Sequence, residues 1–183
     1  MKILHLADLH LGKRVNEFSM LEDQRYILNQ ILDIVEEEAV EVVMICGDVY
    51  DKGIPPVDAI ELLDDFLWKL AEKDCRTLMI SGNHDSGDRL GFGKHLFQNS
   101  NLFIVSQFSG EIEKITIPCG NLPVNFYMLP FVKPVIVNQS LGIHTQSYQE
   151  CLRYLIEHTK IDPEEMNLLM AHQFVTAGKE NPE

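Results

Sequence analysis

Hydrophobic residues in the first eighty positions of the chain alternate between two kinds of segment. Short apolar runs cover residues 2–7, 42–46 and 77–80, and their continuity predicts buried β-strands. Between the first two runs, residues 21–39 repeat apolar positions at helical spacing, and a second helical stripe opens after two prolines. This alternation of strands and helices predicts a parallel α/β sheet.

The pattern changes after residue 100, where strand-like runs are separated by Gly, Asn and Pro. We predict strands at 102–105, 111–117, 124–129 and 166–171, with a helix at 146–159. These strands form a second, more antiparallel layer in the prediction, so the fold class is α/β with mixed sheets. We find no repeat or linker, and we expect the whole chain, residues 1–183, to be one domain.

Composition limits the kinds of substrate and partner that the chain can hold. Its 183 residues are 45% hydrophobic and 23% charged, as in ordinary globular proteins, and its net charge is −13. Non-specific nucleic-acid binding rests mainly on lysine and arginine, so this chain should not grip DNA over a broad surface. A polyanionic substrate would have to be held locally, by metal ions or by a partner.

Cysteine usage and hydropathy indicate the compartment. The four cysteines form no Cys-x-x-Cys pair, and reduced thiols are therefore expected. No apolar run is long enough to cross a membrane, and no signal peptide is recognisable at the beginning of the chain. We expect a cytoplasmic protein without membrane contact.

Residues that can bind a metal ion follow four of the predicted strands directly. In an open α/β sheet, the carboxyl ends of the strands converge on the ligand-binding crevice. The pattern therefore predicts a metal site at this edge. In chain order the candidate residues are Asp8, His10, Asp48, Asn83, His84 and His172.

The residue types suggest a role for each candidate. Asp8 and His10 are spaced to turn to one side of an extended segment, and the carboxylate of Asp48 can bridge two cations. Asn83 offers a neutral oxygen, and His84 can protonate a leaving group. Such mixed ligands suit manganese, with iron or zinc as alternatives. Each motif taken alone could also be an ordinary turn, because Gly, Asn and Asp are turn formers.

Together these motifs resemble the signature of the calcineurin-like metallophosphoesterases. Two further segments, residues 6–12 and 129–134, are similar to those of the SbcD-like nucleases, which are subunits of bacterial double-strand-break complexes. The resemblance covers the whole chain. The motifs that carry it are Asp8-Leu9-His10, Gly47-Asp48-Val49-Tyr50-Asp51 and Gly82-Asn83-His84-Asp85.

The resemblance implies a four-layer α-β-β-α sandwich and a manganese-dependent nuclease. It implies exonuclease action at double-stranded DNA ends, endonuclease action on single strands or hairpins, a homodimer, and a partner ATPase of the SMC type (SbcC-like). His84 would be the proton donor. The implied metal ligands are Asp8, His10 and Asp48 for one ion, and Asp48, Asn83 and His172 for the other.

One departure from the family pattern affects the end of the chain. The family pattern closes with a Gly-His-x-His segment, which does not occur here. We therefore expect a C-terminally truncated domain that lacks its last strands, its capping region and its partner-binding region. Each ion would then be one histidine short, and the fragment alone is not expected to show full activity.

Several residues close to the ligand motifs have two possible roles each. Asp51 and Asp85 could hydrogen-bond the free ring nitrogen of a ligand histidine, or could cap loops. A set of cationic residues follows the motifs closely and could contact DNA phosphates or be solvated. These residues are Lys13, Arg14, Lys52, Arg89 and Lys94.

Two other functions remain open at this point. An enzyme of the same superfamily could act on phosphoproteins or on small phosphodiesters such as cyclic nucleotides. A non-catalytic protein could instead dock an ATPase or a second copy of itself. The apolar stripe of the second predicted helix could belong to the core or partly to a dimer interface. That stripe consists of Ile60, Leu63, Leu67 and Leu70.

Overall fold

The computed structural model describes residues 1–97, 100–120 and 122–175. None of the helices in these ranges combines the length and hydrophobicity needed to span a bilayer. The strands are β1 (Ile3–Leu6), β2 (Arg14–Val15), β3 (Phe18–Ser19), β4 (Val42–Cys46), β5 (Arg76–Ile80), β6 (Leu102–Val105), β7 (Glu113–Cys119), β8 (Leu122–Leu129) and β9 (Met166–Ala171). The helices are α1 (Leu21–Glu37), α2 (Val57–Glu72), α3 (Gly87–Leu90), α4 (Lys94–Phe97), α5 (Pro134–Leu141) and α6 (Tyr148–Glu157).

The first sheet is parallel and has the strand order β1-β4-β5-β6. Ile3 pairs with Val42, and Val42 pairs with Arg76 on its other side. Parallel neighbours need a crossover connection, and α1 and α2 provide the first two. The predicted alternation of strands and helices in this half of the chain is confirmed.

The second sheet is mixed, with the order β7-β8-β9. β7 and β8 run antiparallel, whereas β8 and β9 run parallel and pair Val124 with Met166. The parallel pair is possible because α5 and α6 lie between β8 and β9 in the chain. The last strand therefore points its carboxyl end, with His172 just beyond it, in the same direction as β8.

Three hydrophobic clusters divide the molecule into four layers. The first cluster joins α1 and α2 to one face of the parallel sheet, and the second lies between the two sheets. The third joins α5 and α6 to the outer face of the second sheet. β8 shows the alternation that this requires, because Phe126 and Met128 face the inter-sheet cluster while Tyr127 and Leu129 face the helices. The predicted α-β-β-α sandwich is the observed architecture.

Several short elements differ from the sequence prediction. The β2–β3 hairpin was not predicted, because its turn uses Asn16 and Glu17 at positive φ (46° and 69°) instead of the more recognisable Asn-Gly pair. Helix α5 was also not predicted, since Val137 is its only buried residue and it carries no apolar stripe. β7 begins and ends two residues later than expected, and the predicted 146–159 helix spans only Tyr148–Glu157.

Two glycines allow the ends of three strands to approach one another. Gly47 has a φ of +88°, and a Cβ placed there would lie 2.5 Å from the His172 ring. A Cβ on Gly82 would overlap the backbone nitrogen and the carboxylate of Asp48. The clash at Gly82 includes backbone and the clash at Gly47 includes the His172 Cβ, 2.7 Å away, so side-chain rotation alone relieves neither and both positions require glycine.

We predict that Gly82→Ala destabilises the protein by about 1–3 kcal/mol, the usual cost of overpacking a close contact. The matched control is Gly53→Ala, because a Cβ on Gly53 would meet its nearest neighbour, the His84 carbonyl oxygen, at an ordinary 3.7 Å. The measurement is the free energy of unfolding in urea for both variants. Equal stability of the two variants would show that the close approach to Asp48 is not a constraint.

Candidate metal centre

Backbone hydrogen bonds bring the first two ligand loops side by side. Beyond the ends of β1 and β4, the Asp8 amide donates to the Gly47 carbonyl at 3.1 Å, and the His10 amide donates to the Asp48 carbonyl at 2.9 Å. The ladder continues from the Leu11 amide to the Val49 carbonyl. The parallel pairing of the strands therefore extends into the loops and fixes three candidate ligands relative to one another.

Three candidate ligands have left-handed backbone conformations. The φ angles are 56° at Asp8, 44° at His10 and 49° at Asp48. Non-glycine residues in this region cost on the order of 1–3 kcal/mol each and are concentrated at functional sites. The loop ladder offsets this cost, and the conformation directs the side chains toward a common point. The predicted extended backbone at Asp8 and His10 is therefore wrong, because the contacts between the two loops impose the left-handed conformation.

The carboxylate of Asp48 lies at the centre of the site. The residue is 3% exposed, and its Oδ1 accepts a hydrogen bond from the His84 amide at 2.9 Å. Its Oδ2 faces the Nε2 atoms of three histidines, at 3.4 Å for His172, 3.7 Å for His10 and 4.0 Å for His84. Three imidazoles from three different strand ends thus converge on one buried oxygen.

The other ring nitrogens show how two of these imidazoles are oriented. Nδ1 of His172 donates to the carbonyl of Cys46 at 2.8 Å, and Nδ1 of His84 donates to the carbonyl of Asp51 at 3.0 Å. Because a carbonyl can only accept, Nδ1 carries the proton, and Nε2 of the neutral ring presents a lone pair. Lone pairs directed at a carboxylate are the arrangement that a metal cation stabilises.

The ring nitrogens of His10 face carboxylates, unlike those of His172 and His84, whose Nδ1 atoms meet backbone carbonyls. The Nδ1 of His10 is buried without a hydrogen-bond partner in the described part of the chain, and the carboxylate of Asp51 lies 3.7 Å away. Its Nε2 is 3.7 Å from the carboxylate of Asp8. Asp51 therefore faces His10, the position expected of a residue that orients a ligand ring, although the distance exceeds that of a hydrogen bond.

Asp85 joins the second and third ligand loops. Its carboxylate accepts hydrogen bonds from the backbone amides of Val49 (3.1 Å), Tyr50 (2.9 Å) and Gly82 (2.8 Å). The sequence analysis left open whether Asp85 hydrogen-bonds a ligand histidine or caps a loop, and the structure shows the loop-capping contacts. Hydrogen bonds to a charged acceptor are stronger than neutral ones, so Asp85 holds the β4 and β5 ends together.

Two groups of side chains could each hold a metal ion, and Asp48 belongs to both. One group is His10, Asp48 and His84; the other is Asp8, Asp48 and His172. Within each group the ligand atoms lie within 4.8 Å of one another. Asn83 is exposed on the same loop as His84.

This grouping bears on the sequence hypothesis in two ways. Asp48 is shared, as a bridging carboxylate would be. His84 stands with His10, so its position suits a ligand as well as a proton donor. Carboxylate and imidazole donors fit manganese, iron or zinc.

The thiol next to the site does not take part. Burial raises the pKa of Cys46 to about 12, so its side chain is neutral at physiological pH. A thiol binds metals as the thiolate. Cys46 contributes its backbone carbonyl to His172, while its side chain packs in the inter-sheet cluster.

The cationic residues proposed to contact DNA differ in their partners. Lys13, Arg14, Lys52 and Arg89 are all exposed. Arg14 donates to the Glu17 carbonyl within its own hairpin, and Arg89 donates to the Gly53 carbonyl at 3.3 Å. Among the described residues, Lys13 and Lys52 have no carboxylate within 4 Å and remain available to an anionic ligand.

A family comparison agrees with this geometry. The model of the calcineurin-like phosphoesterase family matches residues 1–181. The match spans both sheets and includes every candidate ligand described above. Members of such a family are metal-dependent hydrolases of phosphate esters, in keeping with the Asp and His groups around Asp48. The chain belongs to the calcineurin-like phosphoesterase family.

Proposed function

We propose that this phosphoesterase is a nuclease that hydrolyses phosphodiester bonds at DNA ends and hairpins during repair, recombination and replication. The observation that carries hydrolysis is the convergence of three imidazoles on the buried carboxylate of Asp48. The choice of DNA rests on the resemblance of residues 6–12, 47–51 and 129–134 to SbcD-like nucleases.

The donor set fits two divalent cations, and we propose manganese. Asp8, His10 and Asp48 would hold one ion, and Asp48, Asn83 and His172 would hold the other. Such ions would neutralise charge on the phosphate and make water nucleophilic at neutral pH. The lone pair of His172, aimed at Asp48 by the Cys46 carbonyl, supports the place of His172 in this set.

His84 is proposed to protonate the leaving sugar oxygen. Its side chain is 46% exposed, so it can reach a bound substrate, whereas that of Asp48 is 4% exposed. Because Nδ1 keeps its proton on the Asp51 carbonyl, Nε2 is the nitrogen that would take up a second proton; the resulting imidazolium would give that proton to the leaving oxygen and return to the neutral ring. The His10 ring packs edge-on against His84, with centroids 4.9 Å apart, and restricts its rotation.

Substrate preference and manganese binding separate the proposed nuclease from a phosphoprotein phosphatase and from a non-catalytic docking protein. With manganese, the proposal expects cleavage of linear duplex DNA and of bis-p-nitrophenyl phosphate, and little hydrolysis of a phosphopeptide. Preference for the phosphopeptide would favour a phosphoprotein phosphatase. Absence of manganese binding would favour a docking protein without catalysis.

Removing the Asp48 carboxylate should abolish high-affinity metal binding. We predict that Asp48→Ala lowers the affinity for Mn²⁺ by at least about 100-fold. Loss of a residue that only hydrogen-bonds a metal ligand typically costs about 10–100-fold in metal affinity, and loss of a ligand shared by two ions should cost more. Asp65→Ala is the control, since Asp65 is a partly exposed carboxylate on α2 paired with Lys69. Isothermal titration with Mn²⁺ measures both. Unchanged affinity in Asp48→Ala would contradict the shared-ligand assignment.

Removing the His84 ring should slow hydrolysis while leaving metal binding largely intact. We predict that His84→Ala lowers kcat on bis-p-nitrophenyl phosphate by about 10²–10⁴-fold, the usual contribution of a general acid. The control is His144→Ala, because His144 is an exposed histidine that does not belong to the candidate metal centre. If Mn²⁺ affinity falls as far as in Asp48→Ala, His84 is a metal ligand and the proton-donor role is wrong.

We also propose a homodimer and an SMC-type ATPase partner, acting in the cytoplasm. Of the α2 stripe, Leu63 and Leu70 are buried, whereas Ile60 is 46% exposed. Ile60 lines an apolar groove of about 480 Å³ together with Trp68 and Phe92, which are 57% and 83% exposed. Exposed apolar surface of this kind marks association sites.

We predict that Ile60→Lys shifts the protein toward monomer in sedimentation velocity, because it places a charge in the apolar groove. Ile27→Lys is the control, as Ile27 is 50% exposed on α1 and does not line that groove. A wild-type protein that remains monomeric at high concentration would overturn the homodimer proposal.

A further inference from the structure

A second groove, of about 530 Å³, opens directly beside the metal centre. It runs between the end of β5, the end of β6 and the start of α5. Its size lies in the range of small-ligand sites. The residues that matter for its chemistry are Asn83, Gln107, Phe108, Phe131, Lys133 and Ile136.

The groove and the metal centre share one wall. Gly82 and Asn83 line the groove, and the next residue, His84, donates its amide to the Asp48 carboxylate. A phosphate held at the metal centre would therefore lie next to the groove wall that Gly82 and Asn83 form. A substrate that continues beyond this phosphate has the groove as an adjoining channel.

Hydrogen bonds connect the segments that form the groove walls. The Phe131 amide donates to the Ser81 carbonyl at 2.9 Å, and the Ser81 hydroxyl donates to the Ser106 carbonyl at 2.9 Å. Gln173, next to His172, lies 3.5 Å from the Val132 carbonyl. These contacts tie the groove walls to the ligand loops, so the two sites have a fixed relative position.

The groove carries one unneutralised positive charge. Lys133 is exposed and has no carboxylate within 4 Å in the described part of the chain. The carboxylate of Asp85, also on the wall, is already engaged by three backbone amides. In a chain of net charge −13, this arrangement favours an anion at Lys133.

The groove wall also carries aromatic side chains, which give it an apolar surface beside Lys133. Phe131 and Phe108 are half-buried in the groove wall. The Phe131 ring is supported by Tyr148, with centroids 6.3 Å apart and an interplanar angle of 36°. An aromatic face beside a cation is the combination by which proteins bind single-stranded nucleic acid, with bases stacked and phosphates neutralised.

We propose that this groove binds the nucleotide adjoining the scissile phosphate, with its base against Phe131 and its phosphate at Lys133. The proposal rests on the proposed nuclease function and specifies how the strand is held. The groove fits a nucleic-acid strand better than a phosphopeptide. A strand with one phosphate at the metal centre offers its next phosphate to Lys133, whereas a peptide with a single phosphate has none left for Lys133.

The test measures binding of a short oligothymidylate to the protein by fluorescence anisotropy in Ca²⁺. Phe131→Leu should weaken binding about tenfold by removing stacking, whereas Phe131→Tyr, which keeps the ring, should retain it. Lys133→Ala should also weaken binding about tenfold. It should reduce the slope of log K against log salt by about 0.7, the value for one phosphate contact on a single strand. Lys114→Ala, an exposed lysine on β7, is the control.

The outcomes separate this proposal from the proposed function. If wild-type protein hydrolyses bis-p-nitrophenyl phosphate with Mn²⁺ but fails to bind the oligonucleotide, or binds it equally in all variants, the groove assignment is overturned while hydrolysis stands. If hydrolysis is absent but the variants lose binding as expected, the groove assignment stands alone. Loss of phosphotyrosine-peptide binding in Lys133→Ala, with oligonucleotide binding unchanged, would also overturn it.

Discussion

The close packing of three strand ends around Asp48 is the constraint on which the rest of the site depends. A carboxylate that is 3% exposed must be compensated, and the His84 amide, which donates to Oδ1, supplies only part of that compensation. The packing is possible only because Gly47 and Gly82 carry no side chain. In the absence of a cation, the carboxylate and the ring lone pairs would repel one another, so the architecture itself favours metal binding.

The two sheets contribute unequally to this arrangement. The parallel sheet supplies most of the ligands, and its hydrogen-bond ladder continues into the loops that hold Asp8, His10 and Asp48. The mixed sheet supplies His172, which is joined to the first sheet through the Cys46 carbonyl. The inter-sheet hydrophobic cluster therefore does more than stabilise the fold, since it sets the distance between the two halves of the centre.

Sequence reasoning predicted that Asp8, His10, Asp48, His84 and His172 lie close together, as the structure shows, because strand ends can be recognised from simple periodicity. Buried strands read as apolar runs, and the residues after them are then assigned to one edge of the sheet. The left-handed backbone of Asp8 and Asp48 was not predictable, because it is imposed by contacts between loops distant in sequence. The role of Asp85 was left open for the same reason, since its partners are backbone amides. Helix α5 was missed because only Val137 of its residues is buried.

The central claim is that Asp48 bridges two divalent cations. Anomalous diffraction at the manganese edge, from crystals of this chain soaked in Mn²⁺, tests it most directly. The account predicts two peaks about 3.5–4 Å apart, one on either side of the Asp48 carboxylate. The absence of anomalous density at Asp48, with manganese bound elsewhere in the same crystals, would contradict the account.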